Sequence, residues 1–134
     1  GLATVASRAH VALEAPPVSV EVDLAGGLPS FSIVGLPETT VRESKDRVRA
    51  ALRNCGFEFP PRRIIVNLAP ADLPKSGGRF DLPIALGVLA ASGQMAGESL
   101  QGAEFVGELS LDGVIRPVCG ALPMALAARD ADGR

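Results

Sequence analysis

From Leu82 to Ser92 the chain is apolar on nearly every side, with Ile84, Ala85, Leu86, Val88, Leu89 and Ala90 in one run. A helix of that kind must be covered all round rather than laid on a surface. The chain has 134 residues, no Trp or Tyr and five Phe, so the cover has to be aliphatic. Alternating segments can supply it. Apolar and polar residues alternate strictly from Val18 to Leu24 and again from Ser30 to Val34, the mark of half-buried strands. Gly26-Gly27-Leu28-Pro29 turns the chain between them, and with the Val/Ala-rich run Ala3 to Leu13 an antiparallel meander is expected. Pro60-Pro61 leads into Ile64-Ile65-Val66-Asn67-Leu68, which suits a central strand. Asp112-Gly113 between Phe105–Leu111 and Val114–Arg116 signals a two-residue hairpin, and a last helix is expected over Leu122–Arg129. At this length the chain fits one domain, or a fragment of something longer.

Hydrophobic content of 47% and charged content of 21% are those of a soluble globular protein. A chain this long buries roughly two-thirds of its unfolded surface and needs no staples. The net charge of −2 gives no bulk attraction to nucleic acid but leaves room for a local basic face. Cys55, Cys119 and the single His10 cannot furnish a four-ligand zinc site. The two cysteines read as buried or half-buried free thiols in preference to a Cys55–Cys119 bridge, and His10 as an ordinary strand residue. The first ten residues lack the pattern of a signal peptide, and no run approaches the ~20 apolar residues of a membrane span. The chain therefore reads as cytosolic. It ends at Asp132-Gly133-Arg134 without a further strand, which reads as a cut.

Gly35-Leu36-Pro37 precedes a helix in which Thr40 and Glu43 have capping-box spacing. Val41, Val48, Leu52 and Cys55 form its apolar stripe, and Gly56 ends it. The other side carries Arg42, Lys45, Arg49 and Arg53. Pairing of Glu43 with Arg47 and of Arg42 with Asp46 would make this a solvated face. Joined by Arg62 and Arg63, it could instead track phosphates. From residues alone the solvated face is the simpler reading.

The loop Ala69–Phe80 at the mouth of the apolar helix invites a catalytic reading. It is not a P-loop, because Lys75-Ser76 precede Gly77-Gly78 rather than follow the glycines. No G-x-S-x-G elbow exists. A Ser76–Lys75 dyad would need a desolvated lysine, whereas loop lysines stay hydrated and protonated. Asp81 and Pro83 read as helix-start residues, the carboxylate capping free amides for about 1 kcal/mol and the proline lacking an amide to satisfy.

The blocks VGLPETTVRESKDRVR and NLAPADLPKSGGRFDLPIA resemble the N-terminal domain of the magnesium-chelatase-like AAA+ ATPases, the ComM/YifB family, over nearly the whole chain. That domain is similar in turn to the proteolytic domain of Lon, which has the ribosomal protein S5 domain 2-like fold, a mixed sheet packed with helices. Laid over Lon's serine loop, Pro74, Lys75 and Gly77 match, but the serine falls on Arg79 and a loop glycine on Asp81. In the later block Gly107, Glu108, Leu111, Gly113, Pro117 and Gly120 match, and the catalytic lysine falls on Met124. The resemblance thus implies an α+β, Lon-like domain, residues 1–134, without peptidase chemistry.

The resemblance further implies an AAA+ domain elsewhere in the protein, binding ATP and Mg2+ and assembling into a hexameric ring, with no cofactor in this part. The family's association with natural transformation, as helicases driving branch migration, makes DNA an expected partner. On that reading Lys75, Arg79, Arg42, Lys45, Arg49 and Arg53 are the residues expected to touch DNA or a neighbouring subunit. The alternatives are a Ser76–Lys75 peptidase and a chelatase-type metal-insertion component, for which this stretch offers no ligand set.

Overall fold

The computed structural model describes residues 1–116, with side chains through Val114. Three strands open the chain: β1 (Leu2–Arg8), β2 (Pro17–Ala25) and β3 (Ser30–Val34). Two helices follow, α1 (Thr39–Arg42) and α2 (Ser44–Asn54), then β4 (Arg63–Ala69) and α3 (Asp81–Ala91). A short 3-10 turn at Gly97–Leu100 leads to a small hairpin, β5 (Glu108–Leu109) and β6 (Ile115–Arg116). The fold is α+β, and none of its described helices is long and apolar enough to cross a membrane.

The expected meander is not what forms. The four-stranded sheet runs β1-β2-β4-β3, with β4 antiparallel to β2 and parallel to β3. The sequence alternation of β2 and β3 marks which face each buries but says nothing about who their neighbours are. The apolar run Ile64–Leu68 takes the interior place between them, pairing with β2 on one edge and β3 on the other. Ile64, Val66 and Leu68 share the buried face with Val18, Val20, Val22 and Leu24 of β2 and with Phe31 and Ile33 of β3. The opposite face is largely polar, and Asn67 donates to Glu21 across the ladder at 2.7 Å.

The apolar helix α3 lies over β1 and β2, flanked by α2, with Ile84, Ala85, Val88 and Leu89 buried. It packs tightly on the sheet at Gly87, where a Cβ would stand 2.5 Å from Val22 Cγ2. A side chain there would push the helix off the sheet. On α2, Val41 of the preceding turn, Val48 and Leu52 are buried as their spacing requires, together with Ser44 and Ala51. Cys55 is exposed rather than buried, because the helix ends there. Gly56 takes φ +87°, its amide bonding Arg53 O and that of Phe57 bonding Leu52 O, a Schellman stop.

Three further expectations change in the folded chain. His10 lies in the loop after β1, not on a strand. The Thr40–Glu43 box does not cap the helix: Thr40 Oγ1 instead accepts the Gly77 amide at 2.9 Å, and the helix is interrupted at Glu43. The hairpin turn holds three residues rather than two, with Ser110 N bonded to Val114 O and Gly113 at φ +89°. Cys119, Met124 and the expected helix Leu122–Arg129 lie outside the described residues.

Candidate nucleic-acid interface

The six cationic residues singled out from sequence separate into a buried pair and an outward face. Lys75 is fully buried. Its ammonium donates to Gly35 O at 2.7 Å and to Pro70 O, and its own backbone bonds Leu36 and Glu38. A lysine so placed stitches the loop after β3 to the loop after β4 and offers nothing to a phosphate. It is also turned to these carbonyls rather than to Ser76. Arg79 is buried too, its guanidinium running beside Gly77 and its carbonyl accepting from Gly107 N at 2.9 Å. Both therefore lie inside the fold rather than on its outer face, since the loop folds inward onto the start of α3.

Burial pushes the Lys75 pKa below the ordinary 10.5, with the Asp72 carboxylate opposing. A lysine with a depressed folded pKa burdens the fold while it is charged, and the burden lifts once the unfolded chain also loses its proton. Stability should therefore rise with pH through the window that ends near 10.5. Urea unfolding of wild type and Lys75→Met at neutral pH and near pH 10.5 checks this. The difference between them should shift towards wild type at the higher pH, and a shift the other way would refute the sign.

Asp81 does not cap α3, although the helix begins there. The first-turn amides already have partners: Asp81 N bonds Gly78 O at 3.1 Å, Leu82 N bonds Gly107 O at 3.0 Å, and Pro83 has no amide. The carboxylate, fully buried, turns towards α2 and β5 instead. It accepts from Ser44 Oγ, from Arg47 Nε at 2.5 Å and Nη2 at 3.1 Å, and from Leu109 N at 3.1 Å. The bond to Asp81 raises the Arg47 pKa against the cost of desolvation. Arg47 thus leaves the expected Glu43 pairing for a stronger, buried partner. Glu108 closes the same corner, its carboxylate lying where a Cβ on Gly78 would be.

The outward face is carried by α1 and α2. Arg42 and Arg53 are exposed, Lys45 and Arg49 half-buried. Arg49 and Arg53, one turn apart, both lie over the Phe59 ring, at 5.1 and 5.8 Å from its centroid. Phe59 in turn rests on Phe31, ring centroids 5.5 Å apart. Arg62 lines the same cleft of about 300 Å³, together with Ser30 and Pro60-Pro61. Sequence reasoning found the arginines but missed Phe59, Ser44 and the true partner of Arg47. The aromatic just before Pro60-Pro61 was the available signal for the first. The other two depend on contacts 37 and 34 residues apart, which no local spacing reveals.

Comparison with known proteins agrees with the blocks that form this site. The family described as subunit ChlI of Mg-chelatase matches residues 20–134. The competence protein ComM of Haemophilus influenzae is 58% identical over 128 residues, 96% of this chain and 25% of its own length. YifB of Salmonella typhimurium is 54% identical over 127 residues, 95% of the chain and again 25% of its own length. An uncharacterised protein of Mycobacterium tuberculosis is 47% identical over 112 residues, 84% of the chain and 22% of its own length. The chain thus spans about a quarter of the length of these relatives. With the match extending from β2 through the Asp81 corner and beyond, this chain belongs to the magnesium-chelatase-like ComM/YifB family.

Proposed function

We infer that this chain is a non-catalytic, Lon-like assembly domain of a ComM-type AAA+ ATPase, and that its α1–α2 face contacts DNA. The observation that carries the reading is the outward cationic face, Arg42, Lys45, Arg49 and Arg53, on a protein whose net charge is −2. A local positive face on a chain of slight negative charge attracts a polyanion where it is needed and not elsewhere. The absence of peptidase chemistry rests on Arg79 at the serine position and on the engagement of Lys75 by two carbonyls. ATP and Mg2+ belong, on this reading, to an AAA+ domain of the same protein, acting in a cytoplasmic hexameric ring on recombination intermediates. A relative named a competence protein supports that setting.

The test is duplex binding by the full-length protein carrying Arg42→Ala, Lys45→Ala, Arg49→Ala and Arg53→Ala together. Affinity should fall at least tenfold at low salt. The plot of log affinity against log salt should also become shallower, because fewer counterions are released. Unchanged affinity and slope would refute DNA contact by this face. The peptidase alternative predicts labelling by a serine-reactive phosphonate that is lost in Ser76→Ala, and the metal-insertion alternative predicts porphyrin dependence.

A further inference from the structure

The cleft over Phe59 differs from the rest of the cationic face in being built rather than merely charged. Arg49, Arg53 and Arg62 converge on it with Ser30, and no carboxylate lines it. Neither of the ion pairs Arg8–Glu104 and Arg47–Asp81 engages these three guanidiniums. Three like charges around one small volume repel one another, an arrangement that an anion would relieve.

The floor of the cleft is held in place. Glu58, next to Phe59, donates its amide to Gln94 Oε1 at 2.9 Å and accepts from Gln94 Nε2 at 2.8 Å. Pro60 and Pro61 fix the backbone on the other side. The Phe59 ring lies under both the Arg49 and Arg53 guanidiniums and restrains them, and a guanidinium held over an aromatic ring can still donate from its edge. Little ordering of these two side chains remains to be done on binding, which favours affinity.

What fits is decided by what covers Phe59. Phe31 packs against the ring and two guanidiniums lie over it, so a nucleobase would have to displace a neighbour to stack there. A tetrahedral oxyanion, by contrast, matches planar guanidinium forks and a serine hydroxyl. We propose that this cleft seats one backbone phosphate of DNA, clamped by Arg49, Arg53 and Arg62, as the fixed point of the α1–α2 face. The proposal rests on the DNA-contact reading above and sharpens it: the seat reads the phosphate and not the base.

A clamp on one phosphate and a stripe that touches several leave different marks in salt. Neutralising one duplex phosphate contributes about 0.9 to the slope of log affinity against log salt. The full-length protein should be titrated with fluorescein-labelled duplexes of differing sequence, by anisotropy across a salt series. The variants are Arg62→Ala, the pair Arg49→Gln with Arg53→Gln (whose stems still cover Phe59), and all three together. Each of the first two should weaken binding about tenfold, equally for every sequence. The triple variant should lose only about one unit of slope, because one phosphate is given up. A loss near three units would overturn the clamp in favour of three separate contacts, and a base preference that vanishes with the variants would overturn phosphate-only reading.

Two further arms separate the possible failures. Arg42→Ala with Lys45→Ala removes the rest of the face. If that pair abolishes binding while the cleft variants bind as wild type, the clamp is wrong and the DNA reading stands. If neither set matters, both fall. Inorganic phosphate added at constant ionic strength tests the source of the anion. Little competition is expected, whereas displacement of DNA together with tight binding of free phosphate would assign the seat to a small anion. Arg62→Glu serves should the stacked pair disturb folding, because Arg62 is exposed and has no ring contact; it should abolish the cleft's contribution, and wild-type binding would refute the proposal.

Discussion

Replacing Asp81 with alanine is expected to destabilise the fold by roughly 2–4 kcal/mol, the loss of the hydrogen bonds to a fully buried carboxylate whose ion-pair partner Arg47 is half-buried. Against a total stability of about 5–15 kcal/mol, that is enough to leave a sizeable unfolded fraction. The carboxylate has no solvent exposure and four hydrogen-bonding approaches: Ser44 Oγ, Arg47 Nε and Nη2, and Leu109 N. Alanine leaves the Ser44 hydroxyl and the Leu109 amide buried and unsatisfied and withdraws the counter-charge from Arg47. Asp81→Asn keeps an acceptor oxygen and the side-chain volume, and should lose about 1.5–3 kcal/mol. Urea unfolding of the three proteins checks the order. A loss below about 1 kcal/mol for Asp81→Ala would show that the network contributes little.

The same carboxylate fixes geometry as well as stability. Ser44 and Arg47 belong to α2, Leu109 to β5, and Asp81 to the first turn of α3, so three elements meet on one side chain. The orientation of α2 sets where Arg49 and Arg53 stand over Phe59. Removing Arg47 instead, as Arg47→Met, strands the buried carboxylate and should be comparably damaging. A double-mutant cycle between the two positions should return a coupling of about 1–3 kcal/mol.

How much of this was legible beforehand depended on the range of the interaction. The strand alternation of Val18–Leu24, the interior place of Ile64–Leu68 and the buried helix at Leu82–Ser92 are consequences of local period, and they hold to within a residue or two of β2, β4 and α3. Strand order is not local. Nothing in Ser30–Val34 announces that it will lie parallel to a strand some thirty residues later rather than pair with β2. The cap assigned to Asp81 failed for a similar reason, because Gly107 O, 25 residues away, had already satisfied the amide that the carboxylate would have served. Lys75 was misplaced by the general habit of loop lysines to stay in water, which two inward-facing carbonyls overrode. The cationic helix face was visible as a stripe, but its aromatic floor came from a different segment.

The second large effect is expected at Gly35, between β3 and the helices. Gly35→Ala should destabilise by roughly 3 kcal/mol or more, combining backbone strain with a backbone collision. The residue has φ +106°, outside what an L side chain adopts readily, and strain of this kind is worth about 1–3 kcal/mol. The added Cβ would also stand 2.2 Å from Leu68 O and 2.9 Å from Leu68 C and N. Leu68 cannot retreat, because β4 is the interior strand and is held by ladders to β2 and β3. Nor can Gly35 move freely, since its carbonyl receives the Lys75 ammonium. Gly27 supplies the control. Its φ is +111°, nearly the same, yet a Cβ there meets nothing within 4 Å. Gly27→Ala should therefore show the strain alone, and the gap between the two variants in thermal or urea unfolding measures the collision with β4. Equal losses at the two glycines would mean that β4 yields, and that the contact between the Gly35 turn and the central strand is not a fixed point of the fold.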